Sequence, residues 1–165
     1  MKQLKLFKEI VQREFGGGLL KGKRKTRRPL NFKLPHHLVL KSNSHCLLLK
    51  ERKQVEAIIR QYSKNPGVNL TELAVQTDHV HLTAQFASRE VYTRWIRSVT
   101  AVLSMKIPGL SWSLRPYSRT VSRGRELWTV IKYIRSNQRE ADFILNAHDR
   151  VEAWRLWAIT SRVRC

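Results

Sequence analysis

His79-Val80-His81-Leu82-Thr83-Ala84-Gln85-Phe86 alternates polar and apolar residues without a break. A period of two is the pattern of a half-buried strand. Successive side chains of a strand point to opposite faces, so His79, His81, Thr83 and Gln85 share one side. Val80, Leu82, Ala84 and Phe86 turn the other way, toward a core. The two imidazoles then lie roughly 6–7 Å apart at their Cα atoms, close enough to hold one ion between them. An H-x-H triplet alone is a weak signal, and its weight depends on what surrounds it.

Working outward, residues 69–76 read as a strand joined to the first by Thr77-Asp78. Residues 51–64 read as a helix with Val55, Ile58, Ile59 and Tyr62 inward, closed by Asn65-Pro66-Gly67. Residues 37–42 form a further strand ahead of it. Downstream, Ser88 caps a helix over 89–106 with an apolar stripe of Val91, Trp95, Val99, Val102 and Leu103. Pro108-Gly109 ends it, and a fourth strand follows around 112–121. A helix over 126–138 has Leu127, Val130, Ile131 and Ile134 on its apolar side. The order β-α-β-β-α-β predicts an α+β fold: a ferredoxin-like split β-α-β sandwich. Its antiparallel sheet carries helices on one face, with extra C-terminal helices.

The ends lie outside that pattern. Leu4, Phe7, Ile10, Val11 and Phe15 have helical spacing, and Gly16-Gly17-Gly18 stops the helix. The chain therefore divides into an N-terminal helix and basic linker (1–32), a core domain (33–140) and a C-terminal helical extension (141–165). Trp154 and Trp157 in the extension read as packing residues. Cys46, beside three leucines, reads as a small buried hydrophobe, and with Cys165 it makes no metal-finger spacing.

Charge points to the partner. Lys and Arg number 32 against 12 Asp and Glu, a formal net charge of +20 over 165 residues. A domain that repels itself this strongly suits a polyanion, and nucleic acid fits best. Candidate phosphate contacts are Lys21, Lys23, Arg24, Lys25, Arg27 and Arg28, six cations in eight residues, with Arg115, Arg119 and Arg123. The first run is either a solvated linker or an arm that grips phosphates. No apolar run approaches the ~20 residues of a membrane span, and the N-terminus mixes Lys with Glu, so the expected compartment is the cytoplasm.

Tyr133 and Asn137 are four apart on the last core helix and so share a face. Asn137 offers a carbonyl oxygen to a metal, and Tyr133 a phenol as nucleophile. Tyr117 competes, because Arg115, Arg119 and Arg123 nearby would lower its pKa from about 10. No G-x-S-x-G, P-loop, H-E-x-x-H or dinucleotide fingerprint is present, so no nucleotide cofactor is expected. Twelve acidic residues give little support to a two-metal carboxylate nuclease. Phosphate chemistry run by two His, one Asn and one Tyr remains.

His79-Val80-His81, the β-α-β-β-α-β order and Tyr133-Ile134-Arg135-Ser136-Asn137 together resemble the single-tyrosine HUH transposases. Within them, the chain is most similar to the REP-associated tyrosine transposases and their insertion-sequence relatives. Trp112 and the strand Arg115–Val121 add to the likeness, which covers roughly residues 33–140. Gln138 stands where REP-associated members usually carry proline. The resemblance implies that His79, His81 and Asn137 bind Mg²⁺ or Mn²⁺ and that Tyr133 is the nucleophile. It further implies a 5′-phosphotyrosine, a free 3′-OH and a single-stranded DNA substrate beside a hairpin, handled by a monomer or homodimer. The rival readings are a non-cutting nucleic-acid-binding protein on the same fold and an RNA-binding structural protein.

Overall fold

The computed structural model describes residues 14–23 and 26–162, with side chains up to Asn146 apart from Leu20 and Leu145. In chain order the elements are β1 (Glu14–Phe15), a 3₁₀ turn (Gly17–Leu20), β2 (His36–Lys41), α1 (Leu47–Lys50), α2 (Arg52–Ser63) and β3 (Val68–Val75). β4 (His79–Phe86), α3 (Arg89–Lys106), β5 (Tyr117–Thr120) and α4 (Arg125–Arg162) follow. The sheet order is β1-β5-β2-β4-β3, with every neighbouring pair antiparallel. Four of these strands reproduce the expected split β-α-β arrangement, and β4 and α3 have the expected bounds.

Alternation decides the core. Leu38 and Leu40 of β2, Leu73 and Val75 of β3, and Val80, Leu82, Ala84 and Phe86 of β4 turn toward α2 and α3. They meet Val55, Ile58 and Ile59 from α2 and Tyr92, Trp95, Val99 and Leu103 from α3. The Phe86 ring meets Tyr92 and Trp95 with centroids 5.2 and 5.5 Å away, the edge-on geometry aromatic pairs favour. Ser88 accepts from the Val91 N–H at 3.3 Å and so caps α3, as its position predicts. At Gly67, φ is +84°, and a Cβ would meet the Ala87 Cβ at 3.0 Å, so the turn into β3 requires glycine.

α4 takes the other face. Ala74, on the side of β3 turned away from α2 and α3, packs with Val121, Val130 and Ile134 in a second small core. The short Ala74 side chain lets the helix approach the sheet closely. α4 then continues without a break through Ala141, where the extension was expected to begin, and Asp142 pairs with Arg52 of α2.

Three local expectations differ. Of the predicted helix over 2–15, residues 1–13 lie outside the described residues, and Glu14–Phe15 form an edge strand instead. Tertiary pairing with Arg119 and Ser118, and burial of Phe15, override the helical spacing. The fourth strand shrinks to Tyr117–Thr120 because Pro116 lacks the N–H that would extend the ladder. Cys46 is exposed rather than buried, and the core positions nearby belong to Leu48 and Leu49. The side chains of Trp154 and Trp157, and Cys165, lie outside the described ones.

Candidate active site

The face of the sheet beneath α4 is where the polar half of the β4 alternation points. On β4, the His79 and His81 rings meet edge to face with centroids 4.6 Å apart. The neighbouring β2 places Val39 opposite His81 and His37 opposite Thr83, so His37 joins the same face. β5 adds Tyr117 opposite Val39 and Arg119 opposite His37. From above, α4 brings the Tyr133 ring edge-on to His81 at 5.3 Å and to His37 at 6.3 Å. Tyr133 remains 51% exposed, so its hydroxyl can meet a ligand.

Polar ties hold α4 in this register. Arg135 donates to Glu72 on β3 at 2.7 Å. The Val75 N–H donates to the side-chain oxygen of Gln138 at 3.3 Å, and the Gln76 amide donates to the main-chain carbonyl of Asn137. Gln76 also donates its own N–H to the His79 carbonyl at 2.8 Å, so one buried residue links the histidine strand to the Asn137 turn. At the helix start, Glu126 accepts from the Ser122 N–H at 2.9 Å and from Arg119 at 2.8 Å.

Burial sets the protonation states. It pulls the His81 imidazole down to about 3, helped by repulsion from His79 and His37. Burial, followed by the Arg119 charge, pulls His37 down to about 4. Both rings are therefore neutral at neutral pH, the form that ligates metals. Burial pushes the Asp78 carboxyl up, but its hydrogen bond to His79 and the charges of His79 and Lys41 outweigh that and hold it below its ordinary value.

Do these residues fit a divalent ion? His81 Nδ1 lies 3.2 Å from His37 Nε2, while its Nε2 is buried without a hydrogen-bond partner. Leaving such a group unpaired costs about 1–3 kcal/mol, which a bound cation would offset. His79 Nδ1 lies 2.6 Å from Asp78 Oδ1, so Nε2 would be its ligating end. An imidazole whose second nitrogen is held by a carboxylate or another partner is the usual arrangement of a metal-binding histidine. Asn137 Nδ2 donates to the Tyr133 main-chain carbonyl at 3.1 Å, so its oxygen would be the ligating end. Among the described residues, no three His, Cys, Asp or Glu side chains are arranged to hold an ion. The donor set fits.

The expected residues fare differently. His79, His81 and Tyr133 converge, whereas the Asn137 amide is turned along its own helix. Tyr117 departs from expectation: burial, then the Glu14 charge and the hydrogen bond to Glu14, push its phenol up to about 12 and outweigh the opposite pull of Arg119. Lys21, Lys23, Arg27, Arg115 and Arg123 are exposed, while Arg24 and Lys25 lie outside the described residues. Arg28, partly buried, is turned inward. It donates to Ser118 and to the Pro116 carbonyl, and its guanidinium stacks 4.6 Å from the Phe15 ring centroid. His37 was not anticipated. A polar residue at its place in the β2 alternation was the available signal, but its meaning required the β2–β4 register.

The profile of a protein family described as "Transposase IS200 like" matches residues 31–137, a span that contains His79, His81, Tyr133 and Asn137. No curated protein matches the chain. Among solved structures, a REP-associated tyrosine transposase bound to a REP hairpin superposes with a TM-score of 0.52 at 12% identity. That match covers 67% of this chain and 70% of the other. A protein described as a transposase of Deinococcus radiodurans matches with a TM-score of 0.44 at 21% identity, over 70% of this chain and 98% of that one. The first likeness carries the antiparallel α+β fold.

Proposed function

The chain belongs to the IS200-like transposase family, and on that premise we propose that it cuts and rejoins single-stranded DNA through a covalent phosphotyrosine on Tyr133. The observation that carries this reading is the exposed Tyr133 ring set against His81, whose buried Nε2 has no partner. Tyr133 attacks the phosphorus of the scissile phosphodiester. The new bond joins the phenolic oxygen to phosphorus as the bond to the 3′ oxygen breaks. The phenolic proton is released, the departing oxygen takes up a proton, and the products are a 5′-phosphotyrosine and a free 3′-OH. Bond energy is conserved, so the reverse attack by a 3′-OH reseals DNA without a nucleotide cofactor.

His79, His81 and Asn137 would hold Mg²⁺ or Mn²⁺, with the two nitrogen ligands favouring Mn²⁺. When bound, such an ion supplies positive charge to the phosphate undergoing substitution. His37 acts through His81: by accepting from His81 Nδ1–H it fixes the tautomer that exposes Nε2. Asp78 does the same for His79. The Gln76 and Gln138 ties support a further role, holding Asn137 and Tyr133 in register with the histidines. Gln138 thus has a structural task, and its presence in place of proline does not argue for the non-cutting alternative.

A hairpin beside the cut site is the substrate this reading favours, supported by the hairpin bound to the REP-associated transposase of like fold. In this reading the catalytic unit is 33–140, a reading supported by the Tyr133 ring lying against His81 of the same chain. No helix among the described residues is long and apolar enough to cross a membrane, and we assign the working compartment to the cytoplasm. The test is incubation with hairpin-bearing single-stranded DNA and Mn²⁺. The expected result is a protein–DNA band that survives denaturation, with the nucleotide mapped to Tyr133 by mass spectrometry. Attachment at Tyr117, or no covalent band under any metal, would overturn the reading.

A further inference from the structure

α4 shows solvent a second pattern that the site chemistry does not use. Arg125, Trp128, Lys132, Arg135 and Arg139 recur at intervals of three and four, and every one of them is exposed. That spacing draws a continuous stripe along a helix. Trp128 is 59% exposed, and among the described residues its indole makes no ring or hydrogen-bond contact. An exposed indole flanked by cations is poorly explained as packing. It is the pairing found where single strands bind, with bases stacked on an aromatic face and phosphates neutralised alongside.

The stripe lies beside the nucleophile. Trp128 precedes Tyr133 by five residues, roughly 140° around the helix and about 7.5 Å along it. Lys132 lies between them in angle, on the solvent side. The surface path from the Tyr133 hydroxyl over Lys132 to the indole is about 15 Å, within reach of a few nucleotides. Arg135 is tied to Glu72, which leaves Arg125, Lys132 and Arg139 as the cations turned outward.

We propose that this ridge of α4 is a track for the single strand leaving the cut site, with Trp128 stacking a base and Lys132 neutralising the phosphate between it and Tyr133. The proposal rests on the DNA-cutting reading above, and charge complementarity selects the occupant. A second copy of the chain would have to bring like charges together along the stripe.

Fluorescence anisotropy tests it, with a labelled hairpin carrying a single-stranded tail and the same hairpin trimmed flush. Trp128→Ala should weaken binding of the tailed hairpin about five- to a hundredfold and leave the flush hairpin within twofold. Trp128→Phe should recover most of the loss, since a smaller ring still stacks. Lys132→Ala should lower the salt dependence of the tailed hairpin by about one phosphate. Equal affinity of Trp128→Ala and wild type for the tailed hairpin overturns the track, as does equal loss on both hairpins. A Trp128→Ala change in oligomeric state by light scattering, with DNA affinity intact, identifies a protein interface instead and also overturns it. These outcomes are separable from failure of the parent reading, in which the wild-type protein itself forms no covalent adduct.

Discussion

His36 and His37 are adjacent on β2 and lie on opposite faces of one sheet. His36 is fully buried on the α2–α3 side between Phe32 and Phe86, with ring centroids 6.3 Å from each, and neither of its nitrogens has a partner. His37 is partly exposed on the α4 side and meets His81, Tyr117 and Tyr133. The same residue type stands without a partner on one face and among three other rings on the other. One face is built for burial, and its polar intruder is tolerated. The other gathers polar groups, among them the partnerless His81 Nε2 beside the exposed Tyr133.

That contrast breaks most sharply at Tyr133. Tyr133→Phe should abolish covalent adduct formation, a loss beyond about a thousandfold, because it removes the attacking hydroxyl of this reading. Its melting temperature and DNA affinity should match wild type, since the ring stays. Tyr117→Phe should keep the adduct, and an active Tyr133→Phe protein would show that the face has been misread.

Neighbouring residues of β4 give the cleanest separation of stability from chemistry. Leu82→Ala should cost about 2–5 kcal/mol in denaturant unfolding, as a fully buried side chain is lost from the core. His81→Ala should change stability by no more than about 1 kcal/mol, because it also removes an unpartnered buried nitrogen. It should abolish Mn²⁺ binding by titration calorimetry and cleavage by gel, while DNA affinity persists through Lys and Arg contacts. A His81→Ala protein that unfolds like Leu82→Ala would assign His81 to the core.

His37→Ala tests the outer support. Loss of such a partner typically weakens metal affinity about 10–100-fold, and His37→Gln should recover part of it because an amide oxygen can accept from His81 Nδ1–H. Unchanged Mn²⁺ affinity in both variants would leave His37 with packing alone.

His36 sharpens the comparison through pH. Burial, then the Arg28 charge, pulls its pKa down from 6.5 to about 4 in the folded protein. The unfolded chain therefore takes up the proton first, and stability falls as pH drops from about 6.5 and levels off below about 4. The full effect is on the order of 3 kcal/mol. His36→Leu should flatten part of this acid loss and raise stability at pH 7 by about 1 kcal/mol, both read from urea melts across pH. A mutant with the wild-type acid slope would mean that His36 does not titrate in this range. The smallest effect concerns the basic arm. Deleting residues 21–27, which spares the packed Arg28, should make the log–log salt slope shallower by about 0.7 per phosphate lost without removing cleavage.

The burial face was legible because hydrophobic burial is non-directional and leaves a periodic trace. Alternation over His79–Phe86 and the stripe of α3 place Leu82, Phe86, Trp95 and Leu103 inward without any knowledge of partners. Failures of that reading lie where pairing outweighs local preference, as at Glu14–Phe15, or where a charge finds internal acceptors, as at Arg28. Neither leaves a mark in a short window of sequence.

By itself, then, the sequence determined the α+β element order, the core, the shared face of His79 and His81, and the pairing of Tyr133 with Asn137 on one helix. Those are matters of backbone period, and residues two apart on a strand or four apart on a helix must coincide. Only the tertiary structure decided that α4 crosses the face opposite α2 and α3, that His37 joins His81, and that Gln76 and Gln138 fasten the tyrosine helix to β3. Each of these depends on strand register and helix docking between residues about 40–60 apart in the chain, where a shift of one residue would reverse every face. Local spacing could place two histidines side by side, but which third ring would complete them was set by how two distant strands aligned.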